Sequence, residues 1–368
     1  MASAHRYNCD SCSLDIHVRE IGHATDRNVH RTFDYFDIAA NRIVPNIRNQ
    51  SETVNIPDLT PTQTTIPKAT PLTWLQLMRI PTVFTALSNI LCGYLITHPL
   101  TTAELTQQTD LLLLLISSAG LYLGGMVLND VFDAALDAIE RPERPIPSGR
   151  ISLRAAAIFG SMLMIIGVGC AAAVGMGSLL IAGLIVAAVL LYDGFLKSTV
   201  AAPLGMGTCR FLNLMLGASA GTTMTSVWQT TPMTVAAALG IYIIGVTVFA
   251  KNEAGKSSSA GLLAGIGIMV CGLGLDAWLV TRSGAERAIS GSQMALLILG
   301  LNILMRAAIV VGNPQPVRIQ RTVGLMLLCI IFLDAFMVFG LTGDVKNAVL
   351  VIMLIAPASL VRRFIPMS

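Results

Sequence analysis

Charge is scarce in this chain. Of its 368 residues only 12% are Asp, Glu, Lys or Arg, against about 25% in an ordinary soluble domain. With 54% hydrophobic residues and a mean hydropathy of +0.70, that deficit excludes a soluble globular enzyme. The basic residues never gather into a dense tract, so the net charge of +3 offers no footprint for nucleic acid. Runs such as LLLLLISSAGLYLGGMVL are continuously apolar and lack the in-and-out alternation of a transmembrane strand, which excludes a lipid-embedded barrel. The seven cysteines lack a pairing pattern. Cys92, Cys170, Cys209, Cys271 and Cys329 fall one per apolar segment, where a thiol acts as a small hydrophobe, and no disulfide framework is expected. Cys9 and Cys12 form a single C-x-x-C near His5, His17, His23 and His30. Without a second ligand pair this is weak support for a metal site, and a disordered tail is the simpler reading.

What is present divides the chain in two. Residues 1–70 hold seven Lys/Arg and eight Asp/Glu and no long apolar run, which reads as a flexible polar tail. The tail has no basic stretch followed by an apolar one, so it is not a secretory signal, and its acidic residues argue against a mitochondrial presequence. An over-extended start site accounts for it equally well. Pro57, Pro61, Pro67 and Pro71 among Thr and Gln mark an extended linker into the domain 71–368.

That domain is expected to be all-α, a polytopic bundle of nine membrane-spanning helices. The spans fall near 74–97, 111–128, 153–173, 178–194, 203–221, 233–250, 260–280, 291–311 and 322–341. A tenth segment near 346–361, containing Pro357, either crosses or lies in the interface. Loops at one end of the bundle carry Arg141, Arg144, Arg150, Arg154, Lys197, Lys251, Lys256, Arg318, Arg321, Arg362 and Arg363. The other end carries Arg282, Arg287 and Lys346. Eleven basic residues against three place the first end in the cytoplasm. The expected location is a bacterial cytoplasmic membrane.

The richest polar cluster closes the second span: Asn129-Asp130-Val131-Phe132-Asp133-Ala134-Ala135-Leu136-Asp137. On a helix, Asn129, Asp130, Asp133 and Asp137 project from one face. Like charges on one face repel, and hard oxygens side by side suit Mg²⁺, which takes substrate phosphates as further ligands. Directly after it, Arg141-Pro-Glu-Arg-Pro-Ile-Pro-Ser-Gly-Arg150 holds three guanidinium groups on a proline-stiffened loop, fitted to phosphate oxygens. A solvated acidic helix end is the plainer alternative. It leaves the association of carboxylates with arginines unexplained.

These residues resemble the UbiA superfamily of intramembrane prenyltransferases. The N-D-x-x-D-x-x-x-D motif and the arginine–proline loop are joined by Tyr192-Asp193-Gly-Phe-Leu-Lys197, similar to the family's Y-x-x-x-x-K element, and by Arg210-x-x-Asn213. The stretch Pro203-Leu-Gly-Met-Gly-Thr-Cys-Arg-Phe-Leu-Asn resembles the EboC-like branch in particular. The resemblance implies helices around a central cavity opening to the cytoplasmic side. It implies Mg²⁺-dependent transfer of a prenyl group from an isoprenoid diphosphate to an aromatic or lipid acceptor among the membrane lipids. On it, Asp130, Asp133, Asp137 and Glu253 are the expected metal ligands, and Asp130, Asp133, Arg144 and Lys197 the catalytic residues. Asn89, Asn129, Arg141, Tyr192, Arg210, Asn213, Asn252 and Lys251 are the expected substrate-binding residues. The sequence departs from the pattern after the sixth span. The family usually has D-x-x-x-D there, and this chain has Lys251-Asn252-Glu253-Ala254-Gly255-Lys256, with one carboxylate. A lipid-diphosphate binding or transport component with weak catalysis fits that departure. A CDP-alcohol phosphotransferase does not, because Asp193-Gly194 is not followed by its signature.

Three intramembrane charges stand outside the motifs. Arg306 and Asp334 are expected to face protein or water, paired or separately, and Asp276 to be a solvated boundary residue. Glycines at 124, 125, 205, 207, 217, 221, 265 and 267 read as close helix packing.

Overall fold

A computed structural model describes residues 69–98, 105–251, 259–282 and 286–364. The tail's C-x-x-C and histidines, Asn252, Glu253 and Lys256 lie outside the described residues. Among the described residues there is no strand. Helix α1 (Pro71–Leu77) is started by Thr70, whose hydroxyl accepts from Thr73 N, with Pro71 at the first helical position. The expected span at 74–97 is not continuous. The chain turns at Arg79, in the left-handed region at φ 48°, passes a turn at Ile80–Thr82, and only then enters α2 (Val83–Thr97). Pro81 is the physical reason, since it lacks an N–H and restricts the residue before it.

Helix α3 (Leu105–Phe132) ends at the acidic motif, and α4 (Ala134–Glu140) follows a one-residue break at Asp133. Next come α5 (Leu153–Val174) and α6 (Met176–Leu191), joined by Gly175 alone, whose φ of 155° few other residues adopt. After these, α7 (Ala202–Gly217), α8 (Thr230–Ala250), α9 (Ser259–Thr281), α10 (Glu286–Gly312) and α11 (Pro316–Thr342) complete the main bundle. The last segment is α12 (Val345–Ile352) and α13 (Ile355–Phe364).

Nine of the described segments are long and apolar enough to cross a membrane, Val345–Phe364 among them. Helix α7, of 16 residues, is not one of the nine; it packs against α6 and α8 and ends at Gly217 rather than near 221. Its short length is tolerated because the turn that follows it is buried: Ala218, Ser219 and Ala220 are at most 3% exposed. The final segment returns to the end from which α2 starts. Helix α13 packs on the Ile80–Thr82 turn, and Arg362 lies against Gly324 near the start of α11.

Successive helices are neighbours, and α2 packs against α3, α7 and α11 at the centre. Close approach, rather than escape from water, holds such a bundle together, because lipid tails are as apolar as leucine. A β-carbon on Gly124 would lie 2.8 Å from the Gly160 carbonyl oxygen, and one on Gly265 would lie 2.8 Å from that of Gly245. Gly217 touches the Ile90 backbone. Gly221 and Gly267, expected as packing glycines, have no neighbour of this kind; Gly221 instead turns the chain at φ 65°. Leu297, Ile298, Met305 and Ile309 face outward, as a lipid-solvated surface requires. This is an integral membrane protein.

Candidate active site

A cavity of about 440 Å³ opens where α2 begins and where α3 and α6 end. Its polar wall is built from two helix termini. On α3, Asn129 and Asp133 stand one turn apart, with Asp133 N bonded to Asn129 O at 3.0 Å. Opposite, α6 widens into a π-turn over Tyr192–Leu196, closed by Lys197 N to Tyr192 O at 2.9 Å. Widening by one residue brings Tyr192, Asp193 and Lys197 all to the cavity, and Tyr192 settles against Gly205. The two termini are tied together. Asn129 Nδ2 donates to Asp193 Oδ1 at 2.6 Å, and the Lys197 ammonium pairs with Asp133.

The remaining carboxylates are held by arginines. Asp130 Oδ1 takes Arg79 Nη2 at 2.6 Å and lies 3.6 Å from Arg144 Nη1. Arg144 Nη1 also donates to Asp137 Oδ2 at 2.5 Å. Asp130, Asp137 and Arg144 are each at most 5% exposed, so this is a buried network of alternating charge. It joins the turn at Arg79, α3, α4 and the arginine–proline loop, and that loop is braced by Arg150 Nη2 donating to Glu143 O at 2.5 Å.

Deeper in the cavity the walls turn apolar, with Leu121, Met126, Ile185, Val189 and Met206. Arg210 is the cation at this level. It lies 5.2 Å from the Tyr122 ring centroid, and Nη1 and Nη2 donate to Asn89 Oδ1 at 3.2 Å and Thr85 Oγ1 at 3.0 Å. Tyr122 is seven residues before Asn129 on α3, which puts Arg210 about 10 Å deeper. Asn89 in turn donates to Asp334 Oδ2 at 2.7 Å, where Ser88 also donates at 2.6 Å. Asn213 lines the cavity and is fixed by Ala86 O at 2.8 Å and the Ser118 hydroxyl at 2.7 Å.

Of the residues singled out from the sequence, Asn129, Asp133, Asp137, Arg141, Arg144, Tyr192, Lys197, Arg210 and Asn213 line this one cavity. Asp130 is among the arginines behind the wall, and Asn89 is behind Arg210. Lys251 is exposed and donates to Thr199 O at 2.9 Å. Two residues were missed. Arg79 is the one basic residue between Lys68 and Arg141, and that isolation at the head of the first span was its signal. Asp193 lay inside the tyrosine–lysine element without a role of its own.

Of the intramembrane charges, Asp334 faces protein as expected, 2% exposed and accepting from Ser88 and Asn89; Asp276 does not follow expectation. Asp276 is 4% exposed rather than solvated, because α9 turns it into the bundle. Arg306 is exposed, bonded through Nε to Asn302 Oδ1 at 2.9 Å. It lies six residues from the end of α10, close enough for its long side chain to reach the interface.

The chain belongs to the UbiA prenyltransferase family, whose model matches residues 86–365. Among curated relatives, the digeranylgeranylglyceryl phosphate synthase of Metallosphaera sedula is 34% identical over 145 residues, 39% of this chain and 50% of that protein. The synthase of the same name from Methanopyrus kandleri is 46% identical over 76 residues, 21% of this chain and 28% of that protein. These matches thus span half or less of the relatives' own length. Among solved structures, a UbiA homologue from Archaeoglobus fulgidus bound to DMAPP and Mg²⁺ has a TM-score of 0.56 at 14% identity, covering 73% of this chain and 99% of that one. The apo UbiA homologue from Aeropyrum pernix has a TM-score of 0.54 at 19% identity, covering 69% and 96%. Both share the helical bundle.

Proposed function

We propose that this protein transfers the prenyl group of an isoprenoid diphosphate to a lipid acceptor within the membrane, with Mg²⁺ bound at the cavity mouth. The observation that carries the reading is the division of one cavity into a mouth of carboxylates and cations and an apolar lobe beyond it. Among the described residues, no group of three His, Cys, Asp or Glu forms a metal cage. Mg²⁺ binds through one or two carboxylates and completes its shell with water and substrate phosphates. The hard oxygens of Asn129 and Asp133 on one wall fit it.

When bound, Mg²⁺ neutralises the diphosphate and takes up the charge that grows on it as leaving group. Lys197 supplies a mobile point charge: its ammonium exchanges Asp133 for a phosphate oxygen. Arg141 and Arg144 present planar donors to the same group. The isoprenoid chain lies along Leu121, Met126, Ile185 and Val189, away from water. As the allylic C–O bond breaks, the electron pair leaves with the diphosphate. The prenyl carbon then bonds to the acceptor, which gives up a proton.

Relatives named as synthases of a lipid phosphate favour a lipid over an aromatic acceptor. The excess of arginine and lysine at the cavity end supports a mouth on the cytoplasmic side. A second reading, a lipid-diphosphate carrier with little turnover, is favoured by the single carboxylate in residues 251–256. Detergent-purified protein given geranylgeranyl or farnesyl diphosphate, membrane lipids and Mg²⁺ separates the two. Mg²⁺-dependent pyrophosphate release, lost in Asp133→Ala, is the expected result. Tight binding dependent on Asp133 without release would overturn transfer in favour of the carrier.

A further inference from the structure

The carboxylates of the acidic motif and of the π-turn are unequal in what already holds them. Asp130 is engaged by Arg79 and Arg144, and it is not part of the cavity lining. Asp137 is engaged by Arg144, and Asp133 by Lys197. Asp193 differs. Its Oδ1 accepts from Asn129 at 2.6 Å, while its Oδ2 is buried and has no hydrogen-bond partner. A buried acceptor left unpaired costs about 1–3 kcal/mol, and more when it is charged. A fold that keeps such an oxygen beside a ligand cavity is strained toward something that will bind it. The backbone puts it there: α6 ends in a π-turn at Tyr192–Leu196, and that turn carries Asp193 to the cavity.

We infer that Asp193 is a metal ligand in this protein, completing with Asn129 and Asp133 the set of oxygens that holds Mg²⁺ on the diphosphate. Asn129 gives its amide nitrogen to Asp193, which leaves its carbonyl oxygen as the atom to meet the metal. Asp133 is one helical turn from Asn129 on the same face, and Lys197, one turn beyond Asp193, is the cation that leaves Asp133 for phosphate when the metal arrives. The ligands thus come from two helix termini, α3 and α6. Binding the metal fastens those termini across the cavity mouth. Asp130 serves as a structural anchor for Arg79 and Arg144 instead of a ligand. The inference rests on the diphosphate-transfer reading of this cavity and adds to it a residue that the linear acidic motif does not contain.

The test measures metal directly. Mn²⁺ binding to purified full-length protein is followed by electron paramagnetic resonance, with inorganic pyrophosphate present, for wild type, Asp193→Asn, Asp133→Asn and Asp130→Asn. Tenfold or greater weakening in Asp193→Asn and in Asp133→Asn, with a smaller effect in Asp130→Asn, is expected. An Asp193→Asn protein that binds Mn²⁺ within twofold of wild type while Asp133→Asn loses it would overturn the ligand assignment alone. No Mn²⁺ binding by the wild type would instead overturn the metal-dependent function on which it rests. Asp193→Cys keeps the question open to measurement if the Asn variant fails to fold. A thiolate in the metal's shell shifts preference from Mn²⁺ to Cd²⁺. A cadmium–thiolate charge-transfer band that is bleached by excess pyrophosphate-free chelator supports direct ligation, and a folded Cys variant without the band refutes it.

Discussion

Arg144→Met tests whether the buried charge network is a unit. Arg144 Nη1 is 2.5 Å from Asp137 Oδ2 and 3.6 Å from Asp130 Oδ1. With charge centres about 4 Å apart and an effective dielectric near 20, the Asp137 interaction alone is about 4 kcal/mol. Removing the guanidinium leaves Asp130 with Arg79 but strands Asp137, which is 4% exposed. Breaking a buried pair from one side costs about 3–5 kcal/mol, whereas replacing both partners by apolar groups is often neutral. The expected outcome is therefore a large loss of stability in Arg144→Met, a similar loss in Asp137→Leu, and recovery of most of it in the double variant. Unfolding titrations in mixed micelles give the three free energies and their coupling. A coupling below about 0.5 kcal/mol, the level seen for independent sites, would refute the pairing.

Three further outcomes are expected. Asp276→Leu removes a buried carboxylate whose Oδ1 has no partner, so stability in the same titration should hold or rise by about 1–3 kcal/mol; a fall of that size would mean Asp276 has a partner under assay conditions. Asp334→Ala leaves the Ser88 hydroxyl and Asn89 amide without their acceptor, and each stranded donor costs about 1–3 kcal/mol. Because Asn89 also holds Arg210, the variant should lower turnover of the isoprenoid diphosphate as well as stability, and unchanged turnover would count against a role for Arg210 in the cavity. Tyr242→Phe removes the hydroxyl that donates to Met326 O at 2.9 Å; the loss should be about 0.5–1.5 kcal/mol, with turnover unchanged.

Much of the architecture and much of the cavity were legible in the amino-acid order. Span length, the scarcity of charge and the asymmetry of arginine and lysine are properties of local composition, and a bilayer imposes them segment by segment. The acidic motif and the arginine loop were legible for the same reason: neighbours in sequence at a helix end stay neighbours in space. The direction in which each side chain points was not. Asp130 turns to Arg79, which is 51 residues away, because the chain breaks at Pro81 and presents Arg79 from a left-handed turn. Asp193 faces the cavity because α6 gains a residue in its last turn, where Tyr192 settles against Gly205 of α7. Asp276 is buried because of how α9 is rotated about its axis, and rotation is decided by the helices that surround it. The sequence by itself thus determined the solvent of this protein and the chemistry gathered at one end. Only the tertiary structure decided which of those carboxylates are spent on arginines and which are left facing the cavity, because that depends on helix rotation and on breaks that no local pattern specifies.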